Sequence, residues 1–403
     1  MIRIEADVLI PGRGDPIADG AVVLDGSTIG YAGPAASAPA ADETVRVTAV
    51  MPGMWDCHVH FAGIAVPDIE VDATEPDAVK AARSVRDLSV VLDAGFTSVR
   101  EPGGLGVYLQ RVVAEGVVPG PEIYAAGSVL STTGGHADVH GYPLHWFLNP
   151  PGQPFGELCD GVPEVLKAVR KQLRKGARII KFCASGGVMS ELDHPIHQQF
   201  SLDEMTAIVE EAARADRIVA AHCHGKPGIM AALEAGARTI EHGSYLDEEA
   251  ADAMVDMGAI LVPTRYVIDA LLERKDVVPP YAYRKLEAVA GQHREALQLA
   301  ISKGVTIAVG TDIFVSGDHG ANSSEVRHLI EAGMAPLAAI ESATANGPLT
   351  VGPQAPLSGQ LIEGYDADVI AFDSNPVDDP TVWGDPRRVT HVWKAGNSTK
   401  DPS

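Results

Sequence analysis

The chain has 403 residues and a formal net charge of −23, and its 46% hydrophobic and 21% charged residues are the proportions of a soluble globular protein. That much negative charge excludes nucleic acid and anionic membrane surfaces as partners, because both are polyanions. No stretch is apolar for long enough to cross a bilayer, and the length suits one large α/β unit with a smaller module beside it.

Residues 1–52 read as short strands broken by Gly, Asp and Pro: Ile2-Arg3-Ile4, Val8-Leu9-Ile10 and Ala21-Val22-Val23-Leu24. The opening alternation from Met1 to Asp7 is that of a strand rather than a signal peptide, so the expected location is cytoplasmic. A phrase then recurs through the middle of the chain. A helical stretch ends in Gly, a short β-branched run follows, and a polar residue closes it. It appears as Gly95 before Thr97–Glu101, Gly176 before Ile179–Lys181, Gly236 before Thr239–His242, Gly258 before Ile260–Thr264 and Gly304 before Val305–Asp312. Gly just past a helix takes the left-handed conformation that closes the last turn. The apolar run after it is that of a strand buried on both faces of a parallel sheet.

Eight strand candidates follow, at residues 55–60, 97–101, 122–127, 178–183, 217–224, 238–242, 259–264 and 305–312, with helical patterns between them such as 202–215 and 227–235. Eight alternations predict a (β/α)₈ TIM-like barrel over residues 53–350. Strand-like segments return at 368–372 and 389–393, so residues 1–52 and 351–403 are expected to form one small β-sandwich domain from both termini. The irregular intervals 127–163 and 264–285 are expected to wall a substrate pocket.

The C-terminal ends of barrel strands are where chemistry is done. His58 and His60 lie one pleat apart on the same side of the first strand. His222 ends the fifth strand, His242 the sixth and Asp312 the eighth, and Lys181 ends the fourth. Alone, Lys181 reads as a phosphate contact or a Schiff-base amine; four His and an Asp around it favour a metal role. The four Cys suit a reduced compartment rather than a disulfide framework. Cys57 and Cys223 are out of phase with their neighbouring His and are expected to face the helices, whereas Cys183 is in phase with Lys181.

On the run Met51-Pro52-Gly53-Met54-Trp55-Asp56-Cys57-His58-Val59-His60, with Lys181, His222, Arg238-Thr239-Ile240-Glu241-His242-Gly243, Gly310-Thr311-Asp312 and Ala367–Phe372, the chain resembles the amidohydrolase superfamily over essentially its whole length. The branch it resembles has two metal ions and a carboxylated lysine. The resemblance implies that His58, His60 and Asp312 hold one divalent ion and His222 and His242 the other. Lys181, carboxylated by carbon dioxide, would bridge them as a carbamate. Zn suits the imidazoles best, and Mn, Fe, Co or Ni would suit the same N/O sites. A hydroxide shared by the ions would attack the amide carbonyl, with Asp312 as the catalytic proton shuttle.

A narrower resemblance rests on Thr132–Asp138, Ile180–Val188 and Asp318–Asn322. These segments are similar to microbial Xaa-Pro and Xaa-Arg dipeptidases or carboxypeptidases, and to ochratoxin- and phenylurea-hydrolysing amidases. They imply hydrolysis of the C–N amide bond of a dipeptide or N-acyl amino acid, aryl-acyl amino acids included. Arg238, four residues before His242, is expected on the same side of its strand, where its guanidinium would clamp the substrate carboxylate. His136 is expected to polarise the carbonyl or bind carboxylate. His224 stands where dipeptidase-like members carry Tyr and, with Tyr245 and His319, is a candidate wall of the pocket; His140, His145, His194, His197, His293, His328 and His391 read as solvated or structural. The partner is a small-molecule amide, with neither nucleic acid nor membrane, and relatives of this kind suggest a homo-oligomer. The alternatives keep the site and change the leaving group: a urea, carbamate, lactam or xenobiotic amide. A ring aminohydrolase of the imidazolonepropionase kind is disfavoured by Lys181 and by the lack of His-x-x-Glu after His222, and a non-catalytic scaffold by the presence of all six ligands.

Overall fold

The computed structural model describes residues 1–148 and 154–402. The first strands are β1 (Ile2–Leu9), β2 (Ile17–Asp25), β3 (Thr28–Pro34) and β4 (Glu43–Pro52). A second series follows: β5 (Met54–Asp56), β6 (Val59–Ile64), β7 (Phe96–Glu101), β8 (Glu122–Ala125), β9 (Val129–Ser131), β10 (Gly156–Leu158), β11 (Ile180–Cys183), β12 (Val219–Cys223), β13 (Thr239–His242), β14 (Ile260–Val262), β15 (Thr306–Ile307) and β16 (Ile313–Val315). The last strands are β17 (Val369–Phe372), β18 (Val389–Lys394) and β19 (Asn397–Lys400).

Both ends of the chain meet in one seven-stranded sheet of order β19-β18-β17-β4-β1-β2-β3. β1 and β4 are parallel and the other pairs antiparallel. Strands with two buried faces need apolar residues at both parities. In β17, Val369 and Ala371 pack into a core of the sheet's own with Ile4, Val22 and Trp393, while Ile370 and Phe372 point the other way into the large central core.

The middle of the chain is α/β with parallel sheets. β5-β7-β8 and β10-β9-β11-β12-β13-β14-β15 are each wholly parallel, and β16 pairs in parallel with β6. Arg178 N donates to Ala125 O (2.8 Å), joining β8 to the approach of β11, and Cys57 N donates to Val309 O (2.7 Å), joining the end of β5 to the segment after β15. Side-chain alternation is regular. Ile180, Phe182, Ala221, Cys223, Ile240 and Leu261 pack with the helices, whereas Ile179, Ile260, Val262, Tyr124 and Ala308 gather in a separate cluster made largely of strand residues. The five glycines of the recurring phrase all adopt the left-handed backbone, with φ of 92° at Gly95, 98° at Gly176, 92° at Gly236, 63° at Gly258 and 74° at Gly304. No helix among the described residues is long and apolar enough to cross a membrane.

Each of the eight expected strand positions contains a strand, but two are interrupted. The first breaks at Cys57 and His58, and the last between β15 and β16. The first break shifts the phase of the chain, so Cys57 joins Trp55 and Tyr124 in the strand cluster rather than facing the helices. The interval 264–285 is not irregular throughout. It contains the helix Arg265–Leu272 and the start of a long helix, Pro280–Lys303. The interval 127–163 contains β9, β10 and the short helix His145–Leu148, and its residues 149–153 lie outside the described residues.

The two interruptions are stitched by one wholly buried carboxylate. Asp56 accepts from Thr311 Oγ1 (2.6 Å), Thr311 N (3.1 Å), His58 N (3.0 Å) and Asn322 Nδ2 (2.7 Å). Burial pushes its pKa up to about 6 despite these donors. Asp56→Ala strands four buried donors and is expected to cost on the order of 3 kcal/mol or more, read as a fall in the thermal unfolding midpoint. Asp56→Asn keeps an acceptor oxygen and should cost less.

Candidate active site

Six side chains from five strand ends converge on one cavity. His58 and His60 flank the start of β6, Lys181 lies in β11, His222 in β12 and His242 ends β13, while Asp312 sits in the turn before β16; all six line the same space. The backbone pays for two of these placements with positive φ at non-glycine residues, 69° at His242 and 58° at Asp312. The effect at His242 is large. Thr239 and Glu241 point toward Arg100 and His58, and Ile240 points to the helices. Strict alternation would send His242 outward with Ile240; the left-handed turn brings it back.

The imidazoles are oriented by what lies behind them. His58 Nδ1 meets Glu241 Oε2 at 2.7 Å and His60 Nδ1 meets the Gly103 carbonyl at 2.6 Å. Both partners only accept, so each Nδ1 carries its proton and each Nε2 presents a lone pair to the cavity. His242 Nδ1 bonds Thr264 Oγ1 and His224 Nδ1 bonds Ser244 Oγ, each at 2.7 Å. Asp312 Oδ1 lies 2.9 Å from His60 Nε2 and 3.4 Å from His58 Nε2. Burial, then the charge of Lys181, pushes the His58 pKa down to about 4, and burial drives those of His222 and His242 well below the usual value. These three rings are neutral at neutral pH, whereas Asp312 beside His60 raises the pKa of that imidazole against its burial.

Beneath them lies a pair that sequence reasoning missed. Arg100 and Glu241 are both wholly buried, and Arg100 Nη2 donates to Glu241 Oε1 (2.7 Å) and Oε2 (2.6 Å) while Nη1 donates to Thr239 Oγ1 (2.8 Å). Burial opposes ionisation of Glu241, but Arg100 and then Lys181 hold its carboxyl well below the usual range. The available signal was a charged residue inside each of two short strand runs, Arg100 after Val99 and Glu241 between Ile240 and His242.

Lys181 is 3% exposed and its Nζ has no hydrogen-bond partner among the described residues. Burial lowers its pKa. A buried amine without a partner is costly, and it lies among His58, Asp312, His222 and His242. His58, His60 and Asp312 form one group whose ligand atoms lie within 4.8 Å of one another; His222, His242 and His224 form a second. The donor sets of the two groups suit divalent cations, and the orphaned amine lies beside them. His224 thus belongs to the second imidazole group by position, beyond its expected place in the pocket wall.

The other expected residues divide. His136 lines the cavity, its ring stacked on His222 at 4.2 Å. Tyr245 is half-buried against the apolar cluster of the cavity walls and does not line the cavity. His319 lies behind β6, its Nε2 3.2 Å from the His60 carbonyl oxygen and its ring stacked on Phe61, and it does not reach the cavity. Arg238 precedes β13 and donates to the Gly258 carbonyl. It shares the outward parity of Ile240, and four residues of strand place it roughly 13 Å from His242 along the chain. The same-side argument failed because His242, not Arg238, departs from the alternation. His293 is buried and binds the Pro263 carbonyl oxygen (2.7 Å), a structural role.

The cavity walls are largely apolar, with Asp72 a carboxylate among them. Ile64, Val188, Met189, Ile268, Leu271 and Phe314 face the polar floor. Among the described residues Lys181 is the only Lys or Arg in the lining.

This arrangement places the chain in a known class: it belongs to the amidohydrolase family, whose sequence model matches residues 49–399. It is a hydrolase of amide bonds. It is 45% identical to the ochratoxinase of Aspergillus niger over 99% of this chain and 86% of that protein. The crystal structure of A. niger ochratoxinase superposes with a TM-score of 0.93 at 44% identity, covering 100% of this chain and 96% of that one. A prolidase complexed with N-methylphosphonate-L-proline is also similar (TM-score 0.92, 34% identity, 99% of each chain). So is a Xaa-Pro dipeptidase with methionine bound in its active site (TM-score 0.89, 31% identity, 99% of each chain).

Glu241→Gln removes the charge that holds His58 and leaves Arg100 unpaired. Retention of metal is expected to fall by roughly 10- to 100-fold, measured as metal per chain after dialysis against a graded chelator.

Proposed function

We propose that this chain releases an amino acid from an N-acyl amino acid or dipeptide, with large apolar or aryl groups on the substrate. The single observation that carries this reading is an apolar chamber set directly over a floor of four His, one Asp and one unpartnered Lys. The similarity to an ochratoxinase and to prolidases supports hydrolysis beside a carboxylate-bearing residue. We read the parallel strands as a (β/α)₈ barrel over residues 53–350, and the terminal sheet as the β-sandwich module of 1–52 and 351–403.

In this reading His58, His60 and Asp312 would hold one ion and His222 and His242 the other, with Lys181 serving as a carbamate and Zn as the metal. When bound, such ions would lower the pKa of a water and polarise a carbonyl oxygen. The chain's own groups do the rest. Asp312 is partly exposed to the cavity and lies against His58 and His60, so it can take the proton of the attacking water and hand it to the leaving nitrogen. His136 and His224 each use Nδ1 on a hydroxyl and keep Nε2 for the cavity, where it can meet the substrate carbonyl or carboxylate. The apolar walls hold the acyl and side-chain groups and keep bulk water out.

One observation favours a second reading on the same site. Among the described residues no guanidinium reaches the cavity lining, which admits substrates without a free carboxylate, such as ureas, carbamates or xenobiotic amides.

The deciding experiment is hydrolysis of a library of N-acyl amino acids and dipeptides, supplied with divalent metal and bicarbonate and read by release of free amino acid. Release biased toward apolar and aryl members is expected; silence with two metals bound per chain would move the assignment to ureas and carbamates. Asp312→Asn is expected to keep at least one metal and to lose roughly 10²- to 10⁴-fold in kcat, and wild-type turnover would remove its proton-shuttle role.

A further inference from the structure

His136 stands on a Gly-rich loop after β9, with no strand or helix of its own to hold it. Its ring nevertheless has a fitted slot. One face stacks on His222, with centroids 4.2 Å apart and planes 23° from parallel. The other face meets Gly187, where an added Cβ would lie 2.1 Å from His136 Cε1. The edge is fixed by Ser190, whose Oγ is 2.8 Å from His136 Nδ1 and also donates to Asp193 Oδ1. Asp193 Oδ2 in turn accepts from Gly187 N (2.9 Å). Gln199 adds a hold from outside, accepting from His136 N (3.1 Å) and donating to Asp193 Oδ2 (3.3 Å). The contacts to the ring itself, apart from His222, come from the segment 186–193, which contains neither helix nor regular strand.

One distant side chain gathers that segment. Lys285, on the helix Pro280–Lys303, places Nζ 3.1 Å from Gly187 O, 2.7 Å from Ser190 O, 2.6 Å from Asp193 O and 3.0 Å from Asp193 Oδ1. Its side chain is 16% exposed. An ammonium is a compact charge whose three donors are not confined to one plane, so it can serve acceptors from several directions. Lys285 does not line the cavity, although its neighbour Leu286 does.

We propose that Lys285 is a positioning residue: its ammonium folds segment 186–193 so that Gly187 and Ser190 hold the His136 ring over His222. Lys285 then governs turnover through His136 without touching substrate. A misplacement of about 1 Å at a positioned group can cost roughly 100-fold, so the effect is expected to exceed that of a surface ion pair. The kinetic part rests on the amide-hydrolase reading above; the placement of the ring does not.

The test is a double-mutant cycle of Lys285→Met with His136→Ala, on whichever amide the wild-type enzyme hydrolyses. Lys285→Met is expected to lower kcat/KM by roughly tenfold or more with metal content unchanged, and to add nothing further in the His136→Ala background. Losses that multiply would overturn the proposal, because a merely structural lysine weakens both backgrounds alike. Gly187→Ala provides a second route if Lys285→Met does not fold. It breaks no hydrogen bond and should push the ring aside, with the same non-additivity toward His136→Ala. The imidazole ¹⁵N resonances of His136, assigned by their loss in His136→Ala, read the slot with no substrate present. They should shift in Lys285→Met or Gly187→Ala, and unmoved resonances would overturn the proposal even if no amide were turned over.

Discussion

Arg100 and Glu241 form the ion pair on which the site is built. Both are fully buried, and each would be prohibitively costly without the other. Together they do three things. They satisfy Thr239 and the Cys57 carbonyl across neighbouring strands, they fix the tautomer of His58, and they place a net-neutral polar layer under an amine that has no partner. Burial lowers the pKa of Lys181 and the nearby Arg100 lowers it further, while Glu241 and Asp312 act the other way. The floor therefore depends on groups that never meet the substrate.

The second requirement is met at the ends of the strands. Regular alternation delivers Lys181 and His222, whose inward parity follows from Ile180, Phe182, Ala221 and Cys223 facing the helices. It cannot deliver His242 or Asp312. Those two use left-handed backbone at the end of a strand, as does Thr264, whose hydroxyl then meets His242. The strain is held by neighbours: Asp312 N reaches the His58 carbonyl at 2.6 Å, and His293 anchors Pro263 beside Thr264.

Much of this was legible in the sequence, for physical reasons that can be named. The recurring Gly marked helix ends because no other residue closes that turn so easily, and the residues ending the runs after it were the ligand types. Arg238 was misplaced because period two was carried through a position where the chain leaves it. Cys57 was misplaced for the same reason at the break before His58. Arg100 and Glu241 went unread as a pair because nothing local joins residues 141 positions apart. The helix Arg265–Leu272 was hidden by the charged and Pro-rich stretch after it, which made the whole interval resemble loop.

The terminal sheet has a consequence for the order of assembly. β4 runs almost directly into β5 and so into His58, and it is flanked in the sheet by β1 on one side and by β17 on the other. Gly53 N, between β4 and β5, donates to Asp368 O. The segment that leads to the first ligands is thus clamped by residues more than 300 positions later. During synthesis at the ribosome this edge stays open until Val369–Phe372 have emerged. Such long-range pairing is slow to form and exposed to misassociation. A nascent chain lacking its last strands would hold most of its helices and parallel strands while the first ligand strand remained unsecured.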